Sequence, residues 1–200
     1  MPTRGERPLM TGKRVHLRPL RLDDERRFVE QVRLSRALHG RWVQAPSTSA
    51  AFAAYVARYR STPAAGRNVG FLVVRSDDDA FAGVVNFSEI VRGAFNSAYV
   101  GYYGFAALAG DGYMTEGFAL ALDAAFRRLK LHRVEANVQP ANRRSLALLT
   151  RLGFDREGYS RRYVKIGGRW RDHVRFAMLA EEWPGLRGAI RRVVATPLPA

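Results

Sequence analysis

The feature that most constrains the fold is a glycine-rich turn in the middle of the chain, the stretch LAGDGYMTEG at Leu108–Gly117. It follows the aromatic, strand-like stretch NSAYVGYYGF and precedes FALALDAAFRRLK, whose apolar spacing predicts an amphipathic helix from about Tyr113 to Lys130. The first N–H groups of a helix lack intrahelical partners, and with the helix dipole they favour an anion. Glycines at positions 110 and 112 let the backbone approach a phosphate closely. Alone, the turn fits chain punctuation and a phosphate cradle equally well.

The remaining periodicity predicts a mixed α/β domain with the element order β α α β β β α β α β β. The first strand is Lys13–Leu20, and the first helix runs from Asp23 or Asp24 to about Leu38. A second helix, three strands that form an antiparallel meander, and the central helix follow. The last elements are the strand HRVEANV, the helix NRRSLALLTRL and a hairpin around Gly167–Gly168.

Length and composition indicate one globular domain in a chain of 200 residues. We expect residues 1–12 to be a flexible leader, residues 13–183 the folded domain and residues 184–200 a peripheral C-terminal tail. The chain has no cysteine, no apolar run of membrane-spanning length and no apolar segment of the signal-peptide kind at its start. These features predict a cytoplasmic protein without a membrane partner.

The formal net charge of +15 is carried almost entirely by arginine, because lysine occurs only at Lys13, Lys130 and Lys165. The basic residues are spread along the chain rather than gathered in one run. Such a surface suits nucleic acid, a ribosome or a phosphorylated ligand. An arginine-rich composition from a GC-rich coding background is the alternative explanation.

Several other functional motifs are excluded. A dinucleotide-binding turn needs G-x-G-x-x-G, but Thr115 stands where the third glycine would be. The sequence contains neither the G-K-[ST] of a P-loop nor the H-E-x-x-H of a metalloprotease. The four histidines are scattered along the chain, so we expect no metal site.

A second motif lies about 30 residues after the turn, in NRRSLALLTRLGF at Asn142–Phe154. It fits N-x-x-A/S-x-x-L-x-x-x-x-G-F, and the turn fits Q/R-x-x-G-x-G/A except at Ala109 and Met114. Together the two motifs and the element order resemble the GNAT N-acetyltransferase superfamily. The resemblance implies an α/β (α+β) fold with a mixed, mostly antiparallel sheet flanked by helices. It also implies a splay between the two central strands.

Further blocks, among them NFSEIVRGAFNSAYVGY, LHRVEANVQPANRRS, RLGFDREGY and GGRWRDHV, resemble the RimJ/RimL branch of that superfamily, and RimJ most of all. The resemblance spans roughly Lys13–Trp183. It implies transfer of the acetyl group of acetyl-CoA, by direct attack, to the N-terminal amine of Ala or Ser in a ribosomal protein. A small amine such as a polyamine, an antibiotic or an amino acid remains the alternative acceptor. Contact with ribosomal RNA through the basic surface is a further expectation.

In this family the pyrophosphate of acetyl-CoA lies on the N–H groups of the glycine turn, and the pantetheine arm pairs with the strand before it. Carried over by position, the resemblance gives these cofactor-binding residues: Tyr103, Gly104, Phe105, Gly110, Asp111, Gly112, Tyr113, Met114, Thr115, Asn142 and Ser145. A backbone N–H at about Phe105 is the expected oxyanion donor. Asn142 is also expected to cap its helix, which Gly153 closes.

Ser145 is the expected acid for the leaving thiolate. Many relatives have a tyrosine that acts as this acid at the position of Leu149. In RimL-like proteins the serine at the position of Ser145 has been assigned the same role. The alternative is that Ser145 only satisfies the backbone near the helix start.

Glu135 is the expected base, because it shares a strand face with Asn137, opposite the apolar residues. A salt bridge to Arg133 or another arginine is the alternative, and Glu116 is the second choice. The RimL-like glutamate falls near Val164 here, so that carboxylate is absent. An N-terminal amine has a pKa near 8, so a weak or water-relayed base suffices.

Overall fold

The core of the protein is an eight-stranded sheet with the order β1-β2-β3-β4-β5-β6-β8-β7. It is seen in a computed structural model that describes residues 8–40, 42–59 and 66–195. The strands are β1 Met10–Thr11, β2 Val15–Arg18, β3 Val69–Arg75, β4 Phe81–Val91, β5 Ser97–Gly104, β6 Arg133–Val138, β7 Asp155–Ile166 and β8 Arg169–Leu179. All neighbouring strands are antiparallel except β5 and β6, which are parallel. The predicted mixed, mostly antiparallel sheet is confirmed.

Helices cover both faces of the sheet, and each face has its own apolar core. The helices are α1 Glu25–Leu34, α2 Arg36–His39, α3 Ser49–Tyr59, α4 Tyr113–Arg127, α5 Arg143–Leu152 and α6 Gly185–Ala195. Apolar residues of α4, α5 and α6 pack on one face, and those of α1 and α3 pack on the other. Because side chains alternate along a strand, neighbouring residues such as Tyr102 and Tyr103 of β5 enter different cores.

The first predicted helix is interrupted at Ser35, so that α1 ends at Leu34 and α2 forms a separate turn. Ser35 is fully buried, and its hydroxyl accepts a hydrogen bond from the Ala106 N–H at 2.8 Å. This bond ties the corner between α1 and α2 to the chain that leaves β5. Hydrogen bonding between distant residues thus overrides the helical periodicity.

The predicted caps and the final hairpin are confirmed. The Asn142 side chain accepts from the Ser145 N–H at 3.2 Å, and Gly153 ends α5 with φ of 89°. Gly167 and Gly168 turn the β7–β8 hairpin with φ of 57° and 78°, the positive values that a tight two-residue hairpin turn requires.

Both ends of the described chain differ from expectation. Met10 and Thr11, placed in the leader by sequence, form β1 and pair with β2. The expected peripheral tail forms α6, which packs on α4 and α5 and buries Ala189 completely. Trp183 anchors its start, because the indole N–H donates to Asp123 at 3.1 Å. Residues 1–7 and 196–200 lie outside the described part. Within the described residues, no helix has the length and apolar character to cross a membrane.

Candidate active site

The site is built around a gap between β5 and β6. These strands pair only from Ser97 with Arg133 to Tyr99 with Glu135. Beyond this point they separate and line a cleft of about 680 Å³. The predicted splay between the two central strands is therefore present, and it exposes the edge of β5 to a ligand.

The hydrogen-bond pattern decides which backbone groups face the splay. The Phe105 N–H donates to the Ala82 carbonyl at 2.8 Å, so Phe105 points its backbone toward β4. Because bonding direction alternates along an antiparallel strand, Tyr103 and Gly101 also bond toward β4, whereas Val100, Tyr102 and Gly104 face the splay.

This pattern corrects the expectation that the Phe105 N–H stabilises the oxyanion, because that N–H is already used within the sheet. The Phe105 side chain is fully buried against α1, away from the cleft. Of the three strand residues expected to pair with the pantetheine arm, only Gly104 directs its backbone to the open edge.

The glycine turn has the geometry of an anion cradle. Gly110 and Gly112 have φ of 103° and 83°, values that other residues rarely adopt, and a Cβ on Gly110 would meet nothing within 4 Å. Gly112 is the N-cap of α4 and no side chain caps this helix start. The N–H groups of the first turn, from Tyr113 to Thr115, therefore lack helical partners and suit a pyrophosphate.

Met114, one of the departures from the family motif, packs on the sheet. Its side chain lies directly over Gly83 and, at 3.1 Å from an ideal Cβ position, over Gly104. Both glycines leave room for it at the end of the splay. Met114 also lines the cleft.

Arg14, directly before β2, contacts the same turn and stabilises it. Its guanidinium donates to the Asp111 carbonyl at 3.0 Å and lies 4.7 Å from the centre of the Tyr113 ring. The Arg14 N–H and Nε both donate to the Glu116 carboxylate, at 2.8 and 3.3 Å. Both Glu116 oxygens are thus engaged, and this carboxylate holds the start of α4 in place. The sequence alone gives no signal that Arg14 reaches the turn, because 97 residues separate it from Asp111.

Ser145 lies beside a residue that the sequence analysis missed. The Tyr102 hydroxyl lies 2.5 Å from the Ser145 Oγ, and both residues line the cleft. Burial raises the pKa of Tyr102, so it keeps its proton. Leu149, where many relatives have a tyrosine, is fully buried in the core. A tyrosine hydroxyl therefore reaches this site from β5 rather than from α5.

Glu135 forms an ion pair with Arg133 at 2.9 Å, as in the alternative interpretation. Arg133 also binds Glu157 with both terminal nitrogens, and this pairing lowers the pKa of Glu157. Glu135 is not among the residues that line the cleft, whereas Asn137 and Val164 are. The structure thus places Glu135 at the closed end of the splay.

Two buried histidines line the cleft. The His39 Nε2 donates to the Gly104 carbonyl at 2.9 Å, and the His173 Nδ1 donates to the Arg171 carbonyl at 3.0 Å. Each bond selects one neutral tautomer and leaves the other ring nitrogen with a lone pair. Burial lowers the pKa of both imidazoles. His39 had no sequence signal, because only the fold brings α2 to the end of β5.

A second cavity of about 570 Å³ lies between α3 and the strands β4 and β5. It shares Val43, Gly101, Tyr102 and Tyr103 with the cleft. No Asp or Glu occurs among the described residues that line either cavity. The described residues also contain no group of three or more His, Cys, Asp or Glu side chains that could hold a metal ion.

Comparison with known proteins agrees with this geometry. Residues 14–155 match the family described as acetyltransferase (GNAT) domain. The chain is 34% identical over 181 residues to the probable N-acetyltransferase YjcK of Bacillus subtilis, covering 86% of this chain and 97% of that protein. It is 44% identical over 110 residues to the [ribosomal protein uS5]-alanine N-acetyltransferase of Escherichia coli, covering 54% of this chain and 57% of that protein.

Among solved structures, RimJ of Mycobacterium smegmatis in complex with CoA-disulfide superposes with a TM-score of 0.80 at 31% identity, covering 90% of this chain and 88% of that one. The ribosomal-protein-S5-alanine acetyltransferase of Vibrio fischeri has a TM-score of 0.77 at 24% identity, covering 87% and 97%. The second likeness is one of fold.

Proposed function

The chain belongs to the GNAT acetyltransferase family, and on that premise we propose that it acetylates the N-terminal α-amine of a ribosomal protein that begins with Ala or Ser. Family membership makes it an acetyl-CoA-dependent acetyltransferase; the acceptor is the proposed part. The similarity to the uS5-alanine N-acetyltransferase supports this acceptor. We further propose a cytoplasmic location and contact with ribosomal RNA through part of the basic surface.

The lining of the two cavities favours a protein N-terminus over a polyamine. A polyamine carries several positive charges, and its recognition calls for carboxylates in the acceptor site. Neither cavity offers one among its described lining residues, and Arg143 and Arg144 border the cleft. A peptide N-terminus needs only one amine to be accommodated, in its neutral form when it reacts.

Acetyl-CoA supplies the acetyl thioester, and the residues present fit it. The N–H groups of the turn from Gly110 to Thr115 would hold the pyrophosphate, and the edge formed by Val100, Tyr102 and Gly104 would pair with the pantetheine amides. We assign the oxyanion to the Tyr102 N–H, which faces the splay. Asn142 and Ser145 border the same cleft from α5.

In the transfer, the amine nitrogen forms a bond to the acetyl carbon, the carbon–sulfur bond breaks, and the sulfur takes a proton. We propose that Ser145 Oγ donates this proton while it accepts a hydrogen bond from the Tyr102 hydroxyl, which keeps its own proton, and that Ser145 regains a proton from solvent. The hydrogen bond between the two oxygens supports this order. The raised pKa of Tyr102 keeps it protonated as a donor at neutral pH.

For the proton of the ammonium group we propose the His173 Nε2, because this nitrogen carries the lone pair and the residue lines the cleft. Glu135, acting through water, is the competing assignment from the sequence. Removing the proton from an amine of pKa near 8 costs only about 1 kcal/mol at neutral pH, so either group is sufficient. Comparing His173→Gln with Glu135→Gln separates the two, since only loss of the true base removes that group's ionisation from the acidic limb of the pH–rate profile and makes the limb shallower.

The proposal is tested by incubating the protein and acetyl-CoA with peptides that begin Ala, Ser or Met, and in parallel with spermidine. Mass spectrometry locates the added acetyl group. We expect acetylation of the Ala and Ser peptides at the α-amine, and none of the same peptides with a formylated N-terminus and an internal lysine. Turnover of spermidine without acetylation of any peptide contradicts the proposed acceptor.

A further inference from the structure

The end of the β7–β8 hairpin projects beyond the rest of the sheet. β6 pairs with β8 only as far as Val138 with Val174. From Ser160 to His173 the two hairpin strands pair only with each other among the described strands. We call this segment, Ser160–His173, the hairpin arm.

The arm is strongly basic. It contains five cationic residues (Arg161, Arg162, Lys165, Arg169 and Arg171) and a single acid, Asp172. All of the five except Arg171 are exposed. Asp172 is occupied by the arm's own structure, since it accepts from the Tyr159 hydroxyl at 2.6 Å and from the Arg162 N–H at 2.7 Å. The arm therefore keeps a net positive charge, because its five cationic residues outnumber its single acid.

An exposed tryptophan lies among these charges. Trp170 is 59% exposed and sits directly opposite Lys165 in the hairpin register. Apolar side chains of this size are normally buried, and an indole face beside cations suits a stacked base with its phosphate nearby. An acidic protein surface would use the charges but leaves the indole without a matching partner.

The arm is also part of the cleft. Val164, Ile166 and His173 line it, because residues opposite each other on β7 and β8 point to the same face. Lys165 and Trp170 point to the other face. A nucleic acid bound there lies next to the acceptor without filling the acceptor site.

We propose that the hairpin arm binds RNA, with Arg161, Arg162 and Lys165 on phosphates and Trp170 stacked on a base. This inference rests on the proposed function. An acceptor that is a ribosomal protein is itself bound to RNA, and an arm that holds this RNA brings the N-terminus of the acceptor to the cleft. Phosphate contacts position the molecule, and the exposed indole favours unpaired bases over a regular duplex.

The test measures RNA binding directly, without acetyl-CoA. A fluorescein-labelled 20-nucleotide single-stranded RNA is titrated with the full chain, and anisotropy is followed between 50 and 200 mM salt. The arm variant Arg161→Gln/Arg162→Gln/Lys165→Gln is compared with Arg26→Gln/Arg128→Gln/Arg187→Gln, which removes the same charge from exposed positions on α1, the end of α4 and α6. Trp170→Ala is measured separately.

We expect the arm variant to bind at least tenfold more weakly and to reduce the slope of log K against log salt by about 2, as loss of three phosphate contacts requires. Trp170→Ala should weaken binding about fivefold or more without changing the slope. The control variant should keep most of the affinity. Equal losses in the two triple variants, absence of binding by the wild type, or equally tight binding of poly-glutamate would each overturn the proposal. Because this experiment measures RNA binding and no acetylation, its result does not depend on whether the proposed acceptor is correct.

Discussion

The hydroxyl oxygens of Tyr102 and Ser145 lie 2.5 Å apart, so one of the two groups donates its proton to the other. Tyr102→Phe removes the donor behind Ser145 while keeping the ring that packs 4.5 Å from Phe118. We expect kcat to fall about tenfold with little change in the KM for acetyl-CoA, and Ser145→Ala to lower kcat about 100-fold. Steady-state release of CoA thiol measures both.

If Tyr102 acts only by its hydrogen bond to Ser145, which we call the relay, the double variant is also predicted. If Tyr102 acts only through Ser145, adding Tyr102→Phe to Ser145→Ala has almost no extra effect. Independent, multiplying effects contradict the relay. Tyr159→Phe, which removes a hydroxyl bonded to Asp172 rather than to Ser145, serves as the matched control.

The two cleft histidines also predict how stability depends on pH. Burial lowers the pKa of His39 and His173 below the ordinary value near 6.5. As pH falls below that value, the unfolded chain therefore binds protons at these residues before the folded chain does. Their stabilising effect is complete above the unfolded pKa and is lost as pH falls toward the folded values. We expect the melting temperature to fall between pH 7.5 and 5.5, before most carboxylates titrate. His39→Gln/His173→Gln should flatten this dependence in differential scanning fluorimetry; an unchanged slope refutes the assignment.

At the scale of elements, the glycine turn holds its shape through backbone geometry and through Arg14. Gly112→Val places a β-branched residue at φ of 83° with its Cβ 3.1 Å from the Arg14 guanidinium, which forces the turn out of shape. Strain of this kind costs about 1–3 kcal/mol, so we expect acetyl-CoA to bind roughly 10- to 100-fold more weakly by calorimetry.

Gly93→Val separates loss of the cradle from general strain. Gly93 has a similar φ of 74° and open space around its Cβ position, and it lies in the turn before β5, at the opposite end of that strand from the glycine turn. It should lower stability but leave the affinity for acetyl-CoA close to wild type. Equal affinity losses in both variants would show that the turn has no special part in binding.

The sequence predicts elements whose periodicity is set by one buried face, such as α1 and β6, where buried positions recur at the helical or strand spacing. It predicts Asn142 and Gly153 as caps because capping is local. It could not choose between Tyr102 and Tyr103, since alternation says that they face opposite ways but not which face holds Ser145. It also could not show that Arg14 and His39 reach the site, because both contacts depend on how distant elements pack.

At the scale of the whole molecule, α6 joins the two helices that border the proposed cofactor site. It packs on α4, which begins directly after the glycine turn, and on α5, which carries Asn142 and Ser145. The tail was expected to be peripheral because proline and glycine flank it. In the fold, the Trp183 indole, just before α6, donates a hydrogen bond to Asp123 of α4. Ala189 of α6 is part of the apolar core.

Ala189→Asp tests this coupling, because it places an unpaired carboxylate at a fully buried position. We expect a loss of about 3 kcal/mol in the free energy of unfolding, which for a chain of this size lowers the melting temperature by roughly 6–12 °C. Acetyl-CoA should also bind more weakly, since the strain falls on α4 and α5, while saturating acetyl-CoA should recover part of the lost melting temperature. Arg187→Asp, at an exposed position of the same helix, should change neither quantity appreciably. A melting temperature of Ala189→Asp equal to that of Arg187→Asp would mean that α6 is dispensable for the stability of the domain.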